Sequence, residues 1–476
     1  METFNHYFFQ GAFFVFLGYY LVLAAYYFVL GIVGVLVNYR REREADEEDY
    51  TAMAASSFTI PVSIIIPARN EEAWIADSLQ SLLNLEYPEF EIIVVDDCST
   101  DKTPDVLKEM LDLTPVHNPY VDHFNSCKIK GLYKSKKYPH VTVLSEQGGK
   151  KKAGAVNAGL NLARYKYVCV VDADTILVPD ALMKVMAHVQ KAPEKIIGVG
   201  SYFGLLNGFK VKDGRVVSKS FIRSPLVAYQ DLEYLRSFIG NRIAWDRWNA
   251  MPNIAGGFGV WRRDILFELG GYDSEVTCED CELTFRAHEY IADHPSKDYR
   301  IMMLPYVVGW TEGAASIRSL IRQRNRWHRV TIETTRKYLH MLFNPRFGNF
   351  GFVTMPYFFF YEVLGTFFEI GAWAVTIAGF LSGVFNPMLL FGLLLFMNLV
   401  QAVISLLPLV AFQREQKAFR PAELLYLSAL SVVEFFFYRW IILVARAGGT
   451  IDYFRGIRVY DAMPRFREDR SQPQPC

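Results

Sequence analysis

Hydrophobic positions cluster in long uninterrupted runs at both ends of this chain and in short β-rich runs through its middle. No charged residue occurs from Phe8 to Val37, and the run continues to Tyr39 before Arg40, Arg41 and Arg43. A helix crosses the hydrocarbon with about 20 apolar residues, so this run predicts a membrane helix. It has no basic region before it and is too long for the apolar core of a signal peptide. The basic cluster that follows predicts the N-terminus outside and everything from Arg40 inside. A second uncharged zone, Ile370 to Gln413, is broken by Ser382, Gly383, Asn386 and Pro387. It predicts one span that begins before Glu369 and ends near Phe385, and another from Met388 to Phe412. Arg414, Lys417 and Arg420 then form an inside loop. The last apolar stretch, Leu424 to Val444, carries Glu434 and Arg439. If it crossed, the tail with Arg446, Arg455, Arg458, Arg465 and Arg467 would lie outside, against the positive-inside rule. The reading is therefore four helices at the membrane, the last re-entrant or interfacial. Glu369, Glu434 and Arg439 face either an interior or pore, or a solvated interface.

Between Thr59 and about Leu342 the pattern turns globular. Strands are predicted at Val62–Pro67, Phe90–Asp97, Val141–Glu146, Tyr167–Asp172 and Ile196–Tyr202. Helices are predicted at Glu72–Leu83, Pro104–Met110, Ala153–Ala163 and Pro179–Gln190. Such alternation means βαβ units, a largely parallel sheet, and ligands at the carboxyl ends of the strands. Two segments read as insertions. One is a lysine-rich loop, His117 to Tyr138, and the other a hairpin around Asp213-Gly214.

Composition narrows the class. The 476 residues are 51% hydrophobic and 21% charged, and 50 Lys plus Arg balance 50 Asp plus Glu. Zero net charge offers no overall basic field for nucleic acid, and the apolar content excludes a disordered chain.

Three predicted strands end in polar clusters: Arg69-Asn70-Glu71, Asp96-Asp97, and Asp172-Ala173-Asp174. The topology delivers these carboxylates to one sheet edge, where they repel unless a cation or donors intervene. A hard divalent ion completed by substrate phosphate resolves that repulsion. Gln147 to Asn157 is a Gly-rich, Lys-bearing entry to a helix, suited to anions through backbone N–H and ammonium groups. It lacks P-loop spacing. Cys278-Glu279-Asp280-Cys281 has no second Cys-x-x-Cys partner, so neither structural zinc nor a redox pair is expected. Its acidic pair is a candidate general base. Gln323-Arg324-Asn325-Arg326-Trp327 puts guanidiniums, which grip diphosphates, beside an indole that offers a sugar a flat face.

In this order the motifs resemble family 2 inverting glycosyltransferases, in the membrane-embedded branch that includes cellulose, chitin, hyaluronan and poly-N-acetylglucosamine synthases. The resemblance spans about Thr59 to Val330. It implies a GT-A fold, a Rossmann-like mixed α/β sheet in a cytosolic domain, flanked by transmembrane helices. It implies that Glu71 and Asp96 hold the uridine end of a UDP-sugar, with Asp97 in support. Lys152 would face the nucleotide, Asp172 the ribose or sugar, and Asp174 would ligate Mg2+ or Mn2+. Asp280 takes the general-base place, and Gln323, Arg326 and Trp327 close over the diphosphate and acceptor. Two departures stand out. Cys278 replaces the Thr of Thr-Glu-Asp, and Lys151 replaces the Gly before the helix-entry lysine, which leaves Lys150 and Lys152 both eligible for that role.

The resemblance implies one displacement with inversion. The leading expectation is a multi-pass cell-membrane synthase that builds a β-linked glycan from UDP-N-acetylglucosamine or UDP-glucose and exports it, with or without partner subunits. A single-addition transferase acting on a lipid or lipid-linked acceptor is the alternative, and a dead scaffold the third. The expected division is a membrane helix over 1–39, a charged linker over 40–58, the GT-A domain over 59–345, membrane helices over 346–448, and a cytosolic basic tail over 449–476.

Overall fold

A computed structural model describes residues 2–46, 50, 53, 56, 58–117, 120–148, 151–220 and 224–457. The strands are β1 (Val62–Ala68), β2 (Phe90–Asp97), β3 (Leu113–Pro115), β4 (Ile129–Ser135), β5 (Val141–Glu146), β6 (Tyr167–Val171), β7 (Ile176–Leu177), β8 (Ile196–Leu205), β9 (Lys210–Lys212), β10 (Arg215–Ser218), β11 (Phe258–Arg262) and β12 (Arg300–Thr311). Ten of them form one mixed sheet in the order β3-β4-β5-β2-β1-β6-β11-β8-β12-β7. β1 pairs in parallel with β2 and β6, and β2 in parallel with β5. β11 is antiparallel to both β6 and β8. Val62–Ala68 is buried along its whole length, as a central strand covered on both faces must be.

The helices that alternate with the first strands are α2 (Ile75–Leu83), α3 (Thr103–Leu111), α4 (Lys151–Leu162) and α5 (Ala181–Lys191). α2 starts three residues later than the sequence pattern predicts. The residues before it form a turn in which the backbone N–H groups of Trp74 and Ile75 both donate to Glu71 O. The lysine-rich segment is only partly a loop. Its second half is β4, antiparallel to β5, so Tyr133 pairs with Val143 and Lys134 with Thr142. Lys128, Lys130, Lys134, Lys136 and Lys137 hid this strand, which pairs with β5 on one side and with the short edge strand β3 on the other. The hairpin around Asp213-Gly214 is present as β9 and β10, with Asp213 at φ 52° and Gly214 at φ 68°.

Further helices of the domain side include α6 (Pro225–Leu235), its π-helical continuation Arg236–Arg242, α7 (Glu279–Asp293) and α8 (Ile317–Lys337), with short helices at Ile243–Arg247 and Arg263–Glu268 between them. At the membrane side stand α1 (Glu2–Asp46), α9 (Gly365–Leu381), α10 (Pro387–Gln416) and α11 (Pro421–Phe454). α1 runs on past the expected boundary at Tyr39, and α11 runs past 448. Part of the expected linker and most of the expected tail lie outside the described residues.

Among the described residues three helices are long and apolar enough to cross a membrane, Tyr7–Arg41, Pro387–Arg414 and Pro421–Phe454. A fourth candidate is the pair Phe350–Val363 and Gly365–Leu381, bent by 44°. The last stretch, expected to be re-entrant or interfacial, is instead long and apolar enough to cross, and the bend lies two helices earlier. π-helical turns at Phe350–Thr354 and Tyr357–Val363 interrupt the α-helical ladder there. α11 is instead continuous, and it is tied to the domain along its length. Tyr438 donates to Glu233 on α6 at 2.5 Å, and Asn325 on α8 donates to Asp452 at 2.8 Å. The turn between α9 and α10 is as read, since Asn386 caps α10 by accepting from the Met388 and Leu389 N–H groups.

Candidate active site

The strand ends are locked to one another before any substrate arrives. Asn70, at φ 57°, accepts from the Thr100 N–H at 2.8 Å, and its own N–H donates to Ser99 Oγ at 3.0 Å. Glu71 is buried, with its N–H on Thr103 Oγ1 at 2.8 Å. Asp96 is committed inward, accepting from the Ser99 N–H at 3.1 Å and from Ser145 Oγ at 3.2 Å. Asp97 points the other way, as alternation along a strand requires, and it rather than Asp96 lines the large cavity. Burial raises the Asp97 carboxyl, against the opposing charge of Arg69. Its neighbour across the β2–β5 register is Glu146, fully buried and pushed up to about 8 by burial and by Asp97. No cation contacts either Glu146 oxygen among the described residues.

One cavity of about 1040 Å³ joins the remaining groups. Glu71, Asp97, Lys152, Asp172, Asp174, Asp280, Gln323, Arg326 and Trp327 all line it. Lys152 Nζ lies 2.5 Å from Asp172 and 3.3 Å from Glu279. Burial opposes the ammonium charge, but Asp172, Glu279 and Asp280 outweigh it and hold Lys152 well above the ordinary lysine value. Lys151 turns aside to the Val276 carbonyl at 3.1 Å, and Lys150 lies outside the described residues. Lys152 is thus the helix-entry lysine that reaches the carboxylates. Burial pushes Asp172 up to about 6, with Lys152 opposing it. Thr311 donates to Asp174 at 3.3 Å.

Asp280 is the most firmly held carboxylate. Oδ1 accepts from Cys278 Sγ at 2.8 Å and from the Cys281 N–H at 2.6 Å, while Oδ2 accepts from the Gly256 N–H at 2.7 Å. It lies in the first turn of α7, where the helix dipole favours an anion. A Cβ at position 256 would sit 2.7 Å from Lys152 Nζ and 3.2 Å from Asp280 Oδ2, so any larger residue there would push the lysine aside. Cys278, where the sequence departs from the resemblance, therefore keeps a hydrogen-bonding role. Burial and the Asp280 charge raise its thiol, which stays protonated and able to donate.

On α8 the guanidinium against the indole is Arg324, 4.0 Å from the Trp327 ring centroid. Arg324 also donates to Gln323 at 2.6 Å and pairs with Glu233 at 2.7 Å. Arg326 faces the cavity. The cavity then continues to Leu17, Tyr20, Leu21 and Tyr27 on α1, Phe396 and Ile404 on α10, and Arg439 and Arg446 on α11. Sequence reasoning missed the groups here that answer the intramembrane charges. Arg236 pairs bidentately with Glu434 at 2.6 and 2.7 Å, Arg439 bidentately with Glu369 at 2.6 and 2.8 Å, and Arg446 with Glu362. The one available signal was the odd occurrence of Glu and Arg within apolar runs.

The profile described as "Glycosyl transferase family group 2" matches residues 167–413, just over half of the chain, and "Glycosyl transferase family 2" matches residues 63–266. The chain is a family 2 glycosyltransferase. Its mixed sheet is the GT-A type. The poly-β-1,6-N-acetyl-D-glucosamine synthase of Staphylococcus epidermidis is 27% identical over 59% of this chain and 60% of its own length. The β-monoglucosyldiacylglycerol synthase of Nostoc sp. (strain PCC 7120) is 28% identical over 67% of this chain and 58% of its own. The glycosyltransferase thus spans about 60% of the length of these two relatives. Among solved structures, a mannosyltransferase from Pyrobaculum calidifontis in complex with GDP-Man and Mn2+ is 19% identical. It aligns with a TM-score of 0.49 over 88% of this chain and 99% of its own.

Proposed function

We propose that this glycosyltransferase moves a hexosyl or N-acetylhexosaminyl unit from a UDP-sugar, with inversion, to a hydroxyl of an acceptor that enters from the membrane. The observation that carries this reading is the continuous cavity. Glu71 and Asp97, Asp280 and Lys152, and side chains of the membrane helices all line it, the last being apolar groups such as Leu17 and Phe396 together with the paired charges of Arg439 with Glu369 and Arg446 with Glu362. Such a chamber suits an amphiphile, with its hydroxyl among polar groups and its tail against Leu17, Leu21, Phe396 and Ile404. A lipid or lipid-linked acceptor is therefore the first reading. β-Linked glycan synthesis is the second, favoured by the similarity to the poly-N-acetylglucosamine synthase. The protein would sit in the cell membrane with its catalytic side in the cytosol.

In this mechanism Asp280 receives the proton of the acceptor hydroxyl. Cys278, Cys281 and Gly256 fix its orientation. The attacking oxygen approaches the face of the sugar opposite the departing UDP, and no glycosyl-enzyme forms. Arg326 stabilises charge developing on the leaving group, while Gln323 and Trp327 hold the sugars. Glu71 and Asp97 hold the nucleoside and Asp172 the ribose or sugar, while Asp96, turned inward onto Ser99 and Ser145, braces the strand end in place of the nucleoside contact expected of it. Asp172 and Asp174 are hard oxygen donors that fit Mg2+ or Mn2+. Among the described residues no group of three or more His, Cys, Asp or Glu forms a metal cage, so substrate diphosphate would complete the coordination. Bound there, the ion supplies Lewis-acid stabilisation of the diphosphate.

The test is UDP release by the purified full chain across UDP-sugars, with and without lipid, with the product sized. Single addition only with lipid upholds the first reading, and a long ladder replaces it with the second. No turnover with any donor, metal or lipid removes both.

A further inference from the structure

Arginines that line the chamber on its membrane side are matched to carboxylates. Arg236 pairs with Glu434, Arg324 with Glu233, Arg439 with Glu369 and Arg446 with Glu362. Arg242 is different. It lines the same chamber from the last turn of the π-helical segment, with its guanidinium 4.1 Å from the Phe238 ring centroid. Its Nη1 is buried and has no hydrogen-bond partner among the described residues. Burial lowers it to about 10, with Asp280 the foremost charge opposing that fall. A guanidinium held on an aromatic face, with a buried nitrogen that no carboxylate or carbonyl answers, is a costly arrangement unless an anion arrives to complete it.

Its place in the fold says from which side the anion comes. The residues around it are clamped to α1. Asn38 donates to the Ile239 carbonyl at 3.1 Å, and Trp245 donates to Tyr26 at 2.8 Å. Gly34 lets the two backbones meet, because a Cβ on it would lie 2.5 Å from the Gly240 carbonyl. Arg242 therefore stands on the α1 side of the chamber, and its principal anionic neighbour is Asp280. Lys152 also stands near Asp280, but its ammonium is already paired with Asp172 and Glu279.

We propose that Arg242 binds an oxyanion carried by the acceptor, a phosphate or phosphodiester of a membrane lipid, beside the hydroxyl that Asp280 deprotonates. The planar guanidinium fork matches phosphate oxygens in pairs, and the apolar wall beyond it receives the tails. This rests on the reading of Asp280 as the base and adds the chemical class of the acceptor.

The experiment uses the full chain in detergent with UDP and Mn2+. It titrates dihexanoyl phosphatidic acid, dihexanoylglycerol and inorganic phosphate, with binding followed by calorimetry. Wild type is expected to bind the phosphatidic acid more tightly than the other two. Arg242→Gln is expected to weaken that binding about 10- to 100-fold, with Arg242→Lys intermediate and UDP affinity unmoved in both. Equal affinity of wild type for the phosphorylated and neutral lipids overturns the proposal, as does equal loss on both in the variant. Inorganic phosphate binding as tightly as the lipid overturns the lipid assignment. Loss of UDP affinity in Arg242→Gln overturns it too, by assigning the guanidinium to the donor. Asp280→Asn that still turns over refutes the base reading while leaving the binding comparison intact, so the two failures are separable.

Discussion

The two ends of the chamber handle buried charge in opposite ways. At the nucleotide end, Asp97 and Glu146 face each other across adjacent strands, and the cation nearby is the half-exposed Arg69, 3.4 Å from Asp97. The pair is relieved by keeping a proton. At the membrane end, Glu434 has Arg236, Glu369 has Arg439 and Glu362 has Arg446. These carboxylates are relieved by a guanidinium each. One solution rests on a kept proton, and the other on paired guanidiniums. Asp280, between them, uses neither: three neutral donors hold it, which leaves it oriented and open to the chamber.

The middle is where the largest effect is expected. Asp280→Asn preserves shape and removes the proton acceptor, so turnover should fall about 10²- to 10⁴-fold. UDP affinity should hold within about twofold, since a group that acts only in the transition state leaves ground-state binding alone. Turnover near wild type would place the base elsewhere and dissolve the contrast between the middle and the two ends.

The membrane end comes next. Arg236→Leu strands Glu434, whose side chain is 5% exposed, beside Ser405 with no cation. The expected loss is about 3–5 kcal/mol of stability, read as a lower unfolding temperature in detergent. The double change Arg236→Leu with Glu434→Leu should recover most of it, because the penalty lies in the orphaned charge. A double variant as unstable as the single would show that packing, not charge pairing, holds α6 to α11.

How much of this was legible in the sequence divides along the same line. Strand positions came from β-branched runs, and β2 and β5 fall where the periodicity puts them. The carboxylates at the strand ends follow from that, since alternation and parallel pairing decide which edge they reach. β4 did not follow, because its lysines read as a solvated loop and nothing local announces a partner strand. Nor did the partners of Glu434 and Glu369, which lie 198 and 70 positions away. Arg242 carries no motif at all; its meaning comes from what it fails to touch. Asp97 in place of Asp96 at the chamber wall turns on which face of one strand looks inward, a choice that a one-residue step reverses.

A smaller effect concerns the support of the base. Cys278→Ala removes one of three hydrogen bonds to Asp280, and turnover should drop about tenfold, the worth of one hydrogen bond to a charged group. Cys278→Thr restores a donor and should recover most of the rate. A structural role alone would lower both variants together, along with UDP affinity. Recovery by Thr with unchanged UDP affinity marks Cys278 as a positioning residue for Asp280.

The nucleotide end should give the smallest effect and the one with a pH signature. Glu146 is held up to about 8 by burial and by Asp97, against about 4.3 for an unperturbed glutamate. Between those values the folded chain keeps a proton that the unfolded chain has released, so stability falls as pH rises through that window and levels off above it. Glu146→Gln keeps a donor for Asp97 and has no proton to lose. The variant should match wild type near pH 4.5 and unfold at a higher temperature by pH 8.5, with a gap on the order of a few degrees that widens steadily between. A gap for Glu146→Gln that ignores pH would mean that Asp97 and Glu146 do not share a proton, and the two ends of the chamber would then differ in geometry alone.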